Sequence, residues 1–246
     1  MVGLLDVDPD LGKLLPVEER VIAGRLKLRT HTVRAGERGA DVVALLEEEQ
    51  AFGAIILDGV LLHRLRISDQ VGLRLLGPGD ILMRSSGVSL VVIGESDVTG
   101  TPGTRLALLD DAMLYAIRRW PAVAVRLLER FSEQSQTLAA QFVIGQLPRV
   151  DQRVLALMWL LAERWGRVTT SGTYLPLDLM HATLGALIGA RRSTVTLALR
   201  ELTDRGALVK RQEGWLLVEP PASGTVSLSE LGAPRLRASS AAATDR

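Results

Sequence analysis

The spacing of apolar positions changes character twice along the chain. From Arg25 to about Leu109 the apolar residues fall in short or alternating runs: "RLKLRTHTV", "AFGAIILDGVLLHRLRI", "VGLRLLGPGDILM", "GVSLVVIGE" and "TRLALLDDAML", punctuated by Gly, Pro and Asp. This texture predicts the strands of a compact antiparallel sheet or roll. Asp58-Gly59 supplies a hairpin signal because glycine tolerates positive φ, and beyond it Leu61, His63 and Leu65 alternate with Leu62, Arg64 and Arg66. The "GPGD" of Gly77 to Asp80 predicts a second tight turn.

Near Trp120-Pro121 the period lengthens and a helix is expected to begin, since a proline in the first turn lacks an N–H that would have no partner there. Ala124, Leu128, Phe131, Ser135, Leu138, Phe142 and Gly145 follow steps of four and three, the repeat that gives a helix one continuous seam. Two readings stay open: a dimerisation helix whose seam meets a second copy, or a core helix packed on its own sheet. Ser135 and Gly145 weaken the first. Pro148 ends this helix and marks the expected domain boundary. "VDQRVLALMWLLAERWG" predicts a further helix, with Asp151 as its cap and Gly166 as its stop. "RVTTSGTYLPL" reads as a hairpin around Ser171-Gly172.

The stretch "TLGALIGARRSTVTLALREL" holds two short apolar stripes separated by Gly-Ala-Arg-Arg-Ser. Leu184, Leu187 and Ile188 share one face of the first helix, and Gly185 leaves room for close approach of the second. Gly189 permits a sharp turn. In the second helix Val195, Ala198, Leu199 and Leu202 form a buried stripe, which puts Arg192, Ser193, Thr196 and Arg200 together on the opposite face, with Arg191 just before it. This is a helix-turn-helix pattern, whose second helix enters the major groove. A guanidinium can donate two parallel hydrogen bonds to guanine O6 and N7, Ser193 and Thr196 can bond phosphates or bases, and Leu197 can touch a thymine methyl. "ALVKRQEGWLLVEP" then predicts two strands joined by a Gln-Glu-Gly turn, the wing that would carry Lys210 and Arg211 to phosphate. The plainer reading is a surface helix hairpin with solvated arginines, but it requires the glycine turn, the arginine cluster and the strand pair to coincide by chance.

Composition narrows the function. The chain has 246 residues, enough for one large domain or two ordinary ones, and 47% hydrophobic content. With 29 Lys+Arg against 28 Asp+Glu the net charge is +1, so any basic surface must be local. It is: Ala190 to Gly214 carries six bases and three acids, a local balance of +3. The absence of cysteine excludes disulfides, thiolate zinc sites, iron–sulfur clusters and cysteine nucleophiles. The N-terminus lacks the pattern of a secretion signal and no apolar run approaches the roughly 20 residues that cross a bilayer, so a cytoplasmic protein without a membrane partner is expected. An enzyme built on the roll is a competing class, but no catalytic set gathers. Glu47, Glu48 and Glu49 are consecutive and suit a solvated loop or helix end. A winged helix that binds protein rather than DNA is another, because fold alone does not settle function.

Over most of its length the chain resembles the Crp/Fnr superfamily of bacterial transcription regulators, most specifically in "LGALIGARRSTVTLALREL" followed by "RGALVKRQEGWLLV". The "GPGD" turn and the "LDGVLLHRLRI" segment resemble the roll more weakly. The resemblance implies an α+β architecture: an N-terminal antiparallel, jelly-roll-like β-roll over 1–119, a long dimerisation helix over 120–148 and a winged helix-turn-helix over 149–220. The Ala-, Ser- and Gly-rich 221–246 is expected to be a disordered tail. It also implies a homodimer on a pseudo-palindromic operator, with RNA polymerase as a further candidate partner. Carried over position by position, Arg191, Arg192, Ser193, Thr196 and Leu197 fall where the family reads bases; His181, Thr194, Arg200, Lys210 and Arg211 are the expected phosphate contacts. Met180 stands where the family usually has a capping Thr.

The roll departs from the family's cyclic-nucleotide binders. They carry a Gly-Glu helix and then an Arg-Ser or Arg-Thr pair after the Gly-Asp turn; here Arg84-Ser85 comes too early and Gly94-Glu95 too late. An anionic phosphate needs both a charge and a cradle of donors, so cyclic nucleotide is not expected. Haem has little support, since of His31, His63 and His181 only His63 falls within the roll pattern. No cofactor is predicted, and whether the roll senses a ligand or serves as a dimer platform stays open.

Overall fold

Where apolar residues alternate the chain forms strands, and where they recur at three and four it forms helices, but several short helices interrupt the expected run of strands. The computed structural model describes residues 1–34, 39–84 and 95–220. The roll contains β2 (Lys27–Leu28), β3 (Thr30–Thr32), α3 (Gly39–Glu48), β4 (Gly53–Asp58), β5 (Leu61–Ile67), β6 (Gln70–Leu76), β7 (Ile81–Met83), β8 (Glu95–Gly100) and β9 (Arg105–Leu109). Ahead of it lie β1 (Val2–Gly3), α1 (Leu4–Val7), a 3-10 turn (Pro9–Gly12) and α2 (Val17–Arg25). One sheet runs β3-β9-β4-β7 and faces another of order β6-β5-β8, all antiparallel. Leu46, Ile56, Leu61, Leu76, Val98 and Leu106 fill the interior between them.

The hairpin expected at Asp58-Gly59 is not formed. Both edges of β4 are taken by β7 and β9, so the turn instead passes the chain from one sheet to the other. Gly59 has φ +78, and a Cβ there would lie 2.5 Å from the Thr104 hydroxyl oxygen. The true hairpin is β5 with β6, closed at Ser68-Asp69 in the register Ile67↔Gln70, with Ser68 at φ 54. The "GPGD" turn forms as expected: the Asp80 N–H donates to the Gly77 carbonyl at 2.9 Å, and Gly79 takes φ +85. The "TRLALLDDAML" run is strand only to Leu109. Asp110 then accepts the Ala112 N–H at 3.0 Å and starts α4 (Asp111–Arg119). Most of "GVSLVVIGE", together with Ser85, Gly94 and the expected tail 221–246, lies outside the described residues.

Helix α5 (Pro121–Gln146) begins at the expected proline, and Val123, Leu127, Gln134 and Ile144 are its buried side. Arg126 and Arg130 clamp the N-terminal segment to it: Arg130 meets Asp8 at 2.7 Å and Asp10 at 3.2 Å, and Arg126 meets Asp10 at 3.0 Å. The Lys13 ammonium, bonded to Asp10, holds the Asp10 carboxyl below its ordinary 3.8, with Arg130 and Arg126 adding to it. A lowered folded value means the stabilisation is complete above the unfolded value and is lost as pH falls through the folded one. Protection of the N-terminal segment against proteolysis should therefore be constant from pH 7 to 5 and fall only below about pH 4.

After α5 come α6 (Val150–Trp165), β10 (Arg167–Thr169), β11 (Gly172–Leu175), α7 (His181–Ile188), α8 (Arg192–Asp204), β12 (Leu208–Arg211) and β13 (Gly214–Leu217), with sheet order β10-β11-β13-β12. Asp151 is not the cap of α6. Arg149 occupies that position, and Asp151, 6% exposed in the first turn, pairs with Arg149 at 3.0 Å and Arg205 at 3.6 Å. Gly166 stops α6 as expected. Val154, Leu157, Leu161, Leu184, Val195, Leu199 and Leu202 form the head's core, which also takes in Leu75 from β6 of the roll.

Candidate nucleic-acid interface

Helices α7 and α8 are joined by a turn that their glycines make possible. Gly189 sits at φ 65 and ψ 42, and the Ala190 N–H reaches back to the Gly185 carbonyl at 2.8 Å, closing a left-handed helix terminus. A Cβ on Gly185 would lie 2.5 Å from the Ala190 carbonyl oxygen, a backbone atom that cannot move without opening the turn. Gly185→Ala should destabilise the head by about 1–3 kcal/mol in thermal unfolding. Gly189 has no atom near its missing Cβ, so Gly189→Ala should cost only about 1–2 kcal/mol, the backbone penalty for a left-handed alanine. Met180 at the start of α7 makes no side-chain cap bond, the weak start its hydrophobic side chain implied.

The two faces of α8 separate as its pattern predicts. Val195, Ala198, Leu199 and Leu202 are buried, while Arg191, Arg192, Ser193, Thr194, Thr196, Leu197 and Arg200 are exposed. Leu197 is 67% exposed. Among the described residues, Arg191, Arg192 and Arg211 have no carboxylate within ion-pair distance, so their guanidiniums are available to an external acceptor. Arg200 approaches Asp204 at 3.7 Å, but both side chains are largely solvated and the pair is weak.

Three expected contacts are already partly engaged. His181 Nδ1 lies 2.8 Å from Thr196 Oγ1, and that hydroxyl also donates to the Arg192 carbonyl at 3.0 Å. With its one proton used in the helix, the Thr196 hydroxyl accepts from His181 and can offer DNA a remaining lone pair and its methyl group. Lys210 pairs with Asp178 and lies 4.8 Å from the centroid of the Trp215 ring, so it would have to exchange partners to hold a phosphate. Arg211, one residue further along the wing, has no such tie. It borders an open groove with Thr169, Ser171, Tyr174 and Glu213.

A supporting layer not read from the sequence fixes α8 from behind. Arg149 joins Asp151 of α6 to Glu201 of α8, both at 3.0 Å, and Arg153 donates to the Leu147 and Ile188 carbonyls. The signal available was the buried-side position of Asp151, which resembled a cap because it stands in the first turn. The seam residues Ala124, Leu128, Phe131, Ser135, Leu138 and Phe142 lie on the side of α5 turned away from the roll; Leu128 and Phe142 are 67% and 70% exposed. Ala124 alone of the six is half-buried.

A basic exposed helix face set on a buried stripe, beside a strand hairpin and attached to a β-roll by a long helix, defines a winged helix-turn-helix DNA-binding protein. The head itself, residues 152–222, matches the family model of the Crp-like helix-turn-helix domain. No curated protein sequence matches it. FixK2 from Bradyrhizobium japonicum shares the fold at 15% identity, over 82% of this chain and 100% of that one, with TM-score 0.62. A cyclic nucleotide-binding domain containing protein from Listeria monocytogenes EGD-e does so at 17% identity, over 86% and 97%, with TM-score 0.60. A CooA variant from Carboxydothermus hydrogenoformans follows at 16%, over 78% and 84%, with TM-score 0.59.

Proposed function

We propose that the chain acts as a cytoplasmic homodimer that binds a pseudo-palindromic operator, each α8 lying in one of two major grooves about a helical turn apart. The observation that carries this reading is the division of α8 into a fully buried stripe and an exposed basic one beginning at Arg191. Arg191, Arg192, Ser193, Thr196 and Leu197 then meet base edges, and His181, Thr194, Arg200, Lys210 and Arg211 the flanking phosphates. The apolar seam of α5 supports the dimer, because Leu128 and Phe142 are 67% and 70% exposed in the protomer and Phe131 and Leu138 between them are exposed as well. RNA polymerase is the further partner this reading implies for a regulator bound at a promoter, and no reaction is assigned to the chain. Among the described residues no helix is long and apolar enough to cross a membrane.

The roll is read as working without cyclic nucleotide or metal cofactor. Arg84, the charge that would neutralise a cyclic phosphate, is exposed directly after β7. Selection of bound sequences from random duplex DNA tests the whole reading at once: an inverted repeat with half-sites about ten base pairs apart is expected. Affinity for the selected sequence should fall steeply with salt as bound phosphates release counterions, whereas a salt-independent interaction would point to a protein partner.

A further inference from the structure

The covalent link between the dimer helix and the head is short, running from Leu147 to Arg149 between α5 and α6. A head held only by that link would swivel. A second attachment prevents this, and it is built on the "GPGD" turn of the roll. Asp80 is fully buried; one carboxylate oxygen accepts the Gly77 N–H at 2.9 Å and the other meets Arg164 of α6 at 2.5 Å. Trp165, the last residue of α6, packs against the same turn, so close that a Cβ on Gly77 would be 2.4 Å from its ring. The Arg164 guanidinium is itself 4.7 Å from the centroid of that ring. Nearby, Leu75 enters the head's core, and Gln141 of α5 donates to the Leu73 carbonyl of β6 and the Leu187 carbonyl of α7, both at 2.9 Å.

We propose that Asp80, Arg164 and Trp165 form a latch that sets the angle of each head on its own roll, and thereby the half-site spacing the dimer accepts. The latch does not hide the reading face, since Arg191, Arg192 and Leu197 are exposed while it is closed. Its effect is preorganisation. Two recognition helices can engage one operator together only at a fixed separation and phase. A head already held at that angle loses less freedom on binding. The inference rests on the DNA-binding reading, but the latch itself can be observed without DNA.

The chain contains no cysteine, so Ser68→Cys in the roll and Ser171→Cys in the head give two unique labelling positions. The distance distribution between spin labels there, in dimers diluted with unlabelled subunits, reports the angle of the head. The double variant Asp80→Asn/Arg164→Gln removes both charges of the pair together, so neither partner is left as a charge without the other. Gly77→Ala, which pushes the turn off Trp165, opens the latch by an independent route. Both should broaden a narrow wild-type distribution. Both should also weaken binding to the selected palindrome roughly tenfold, leave a duplex with one intact half-site within about twofold, and flatten the dependence on spacing. A distribution that stays narrow in both variants overturns the latch. Broadened distances with an unaltered spacing preference overturn its role at the operator. A wild-type protein that selects no DNA would overturn the regulator reading instead, while the distances still decide the latch.

Discussion

Phe142→Glu should turn the protein into a folded monomer that no longer holds a palindromic operator at the concentrations where the wild type does. Phe142 is 70% exposed in the protomer, so glutamate there leaves no cavity and buries no charge within the chain. Its effect on thermal unfolding of the isolated protomer should stay within about 0.5 kcal/mol. In a twofold interface every residue acts twice. Loss of a buried aromatic from each side costs about 1.5–3 kcal/mol per protomer, so the dimer is weakened by about 3–6 kcal/mol, two to four orders of magnitude in its dissociation constant. Two carboxylates brought to the seam add to this. Sedimentation equilibrium measures the change directly. A Phe142→Glu dimer of wild-type affinity would show that another face joins the protomers and that this stripe has a different partner.

The same stripe shows how far the sequence could carry the structure. Steps of four and three identify the helix and its second apolar side, but they do not say which side the roll takes. The structure decides this with polar residues the periodicity ignores. Gln134 donates to the Ile81 carbonyl at 3.2 Å, and Arg126 and Arg130 reach the N-terminal carboxylates, so the buried side of α5 is held as much by hydrogen bonds and charge as by Val123 and Leu127. The helix-turn-helix was legible because its signals are local: a left-handed glycine, a small residue at the close approach and two stripes of fixed period. The roll was less legible because its pairings are long-range. Asp58-Gly59 has the residues of a hairpin, yet whether β4 pairs with β5 depends on strands β7 and β9, about 25 and 50 residues further on.

Contacts between domains were the least legible. The sequence marks Pro148 as the boundary between the long helix and the head, since a break between two helices is visible as a proline. The direct route through Asp80 and Arg164 joins residues 84 positions apart, and neither has a distinctive pattern around it. The "GPGD" signal shows only that the chain turns. That its aspartate is wholly buried and its first glycine lies against an indole are consequences of packing. The candidate site divides in the same way: exposure of the α8 face follows from its period, while the ties of Thr196 to His181 and of Lys210 to Asp178 come from side chains on other elements.

Those ties change what substitutions on the reading surface should do. Arg192→Ala should lower affinity for the selected operator and reduce discrimination at one base pair by about 1–3 kcal/mol, because a bidentate guanidinium contact distinguishes guanine from the other bases. Its side chain is exposed and unpaired among the described residues, so the loss falls on DNA and not on stability. Arg211→Ala should instead weaken every sequence alike and lower the salt slope by about one, the signature of a phosphate contact. Lys210→Ala should act in the same direction but less strongly, since in the free protein its ammonium already has Asp178 and its removal spares DNA binding the cost of breaking that pair. Competition binding with operators altered one base pair at a time separates the three. If Arg192→Ala changed affinity equally for all of them, its guanidinium would lie on the backbone and the reading face would have to be rotated around α8. If it changed nothing, that end of the helix would not enter the groove.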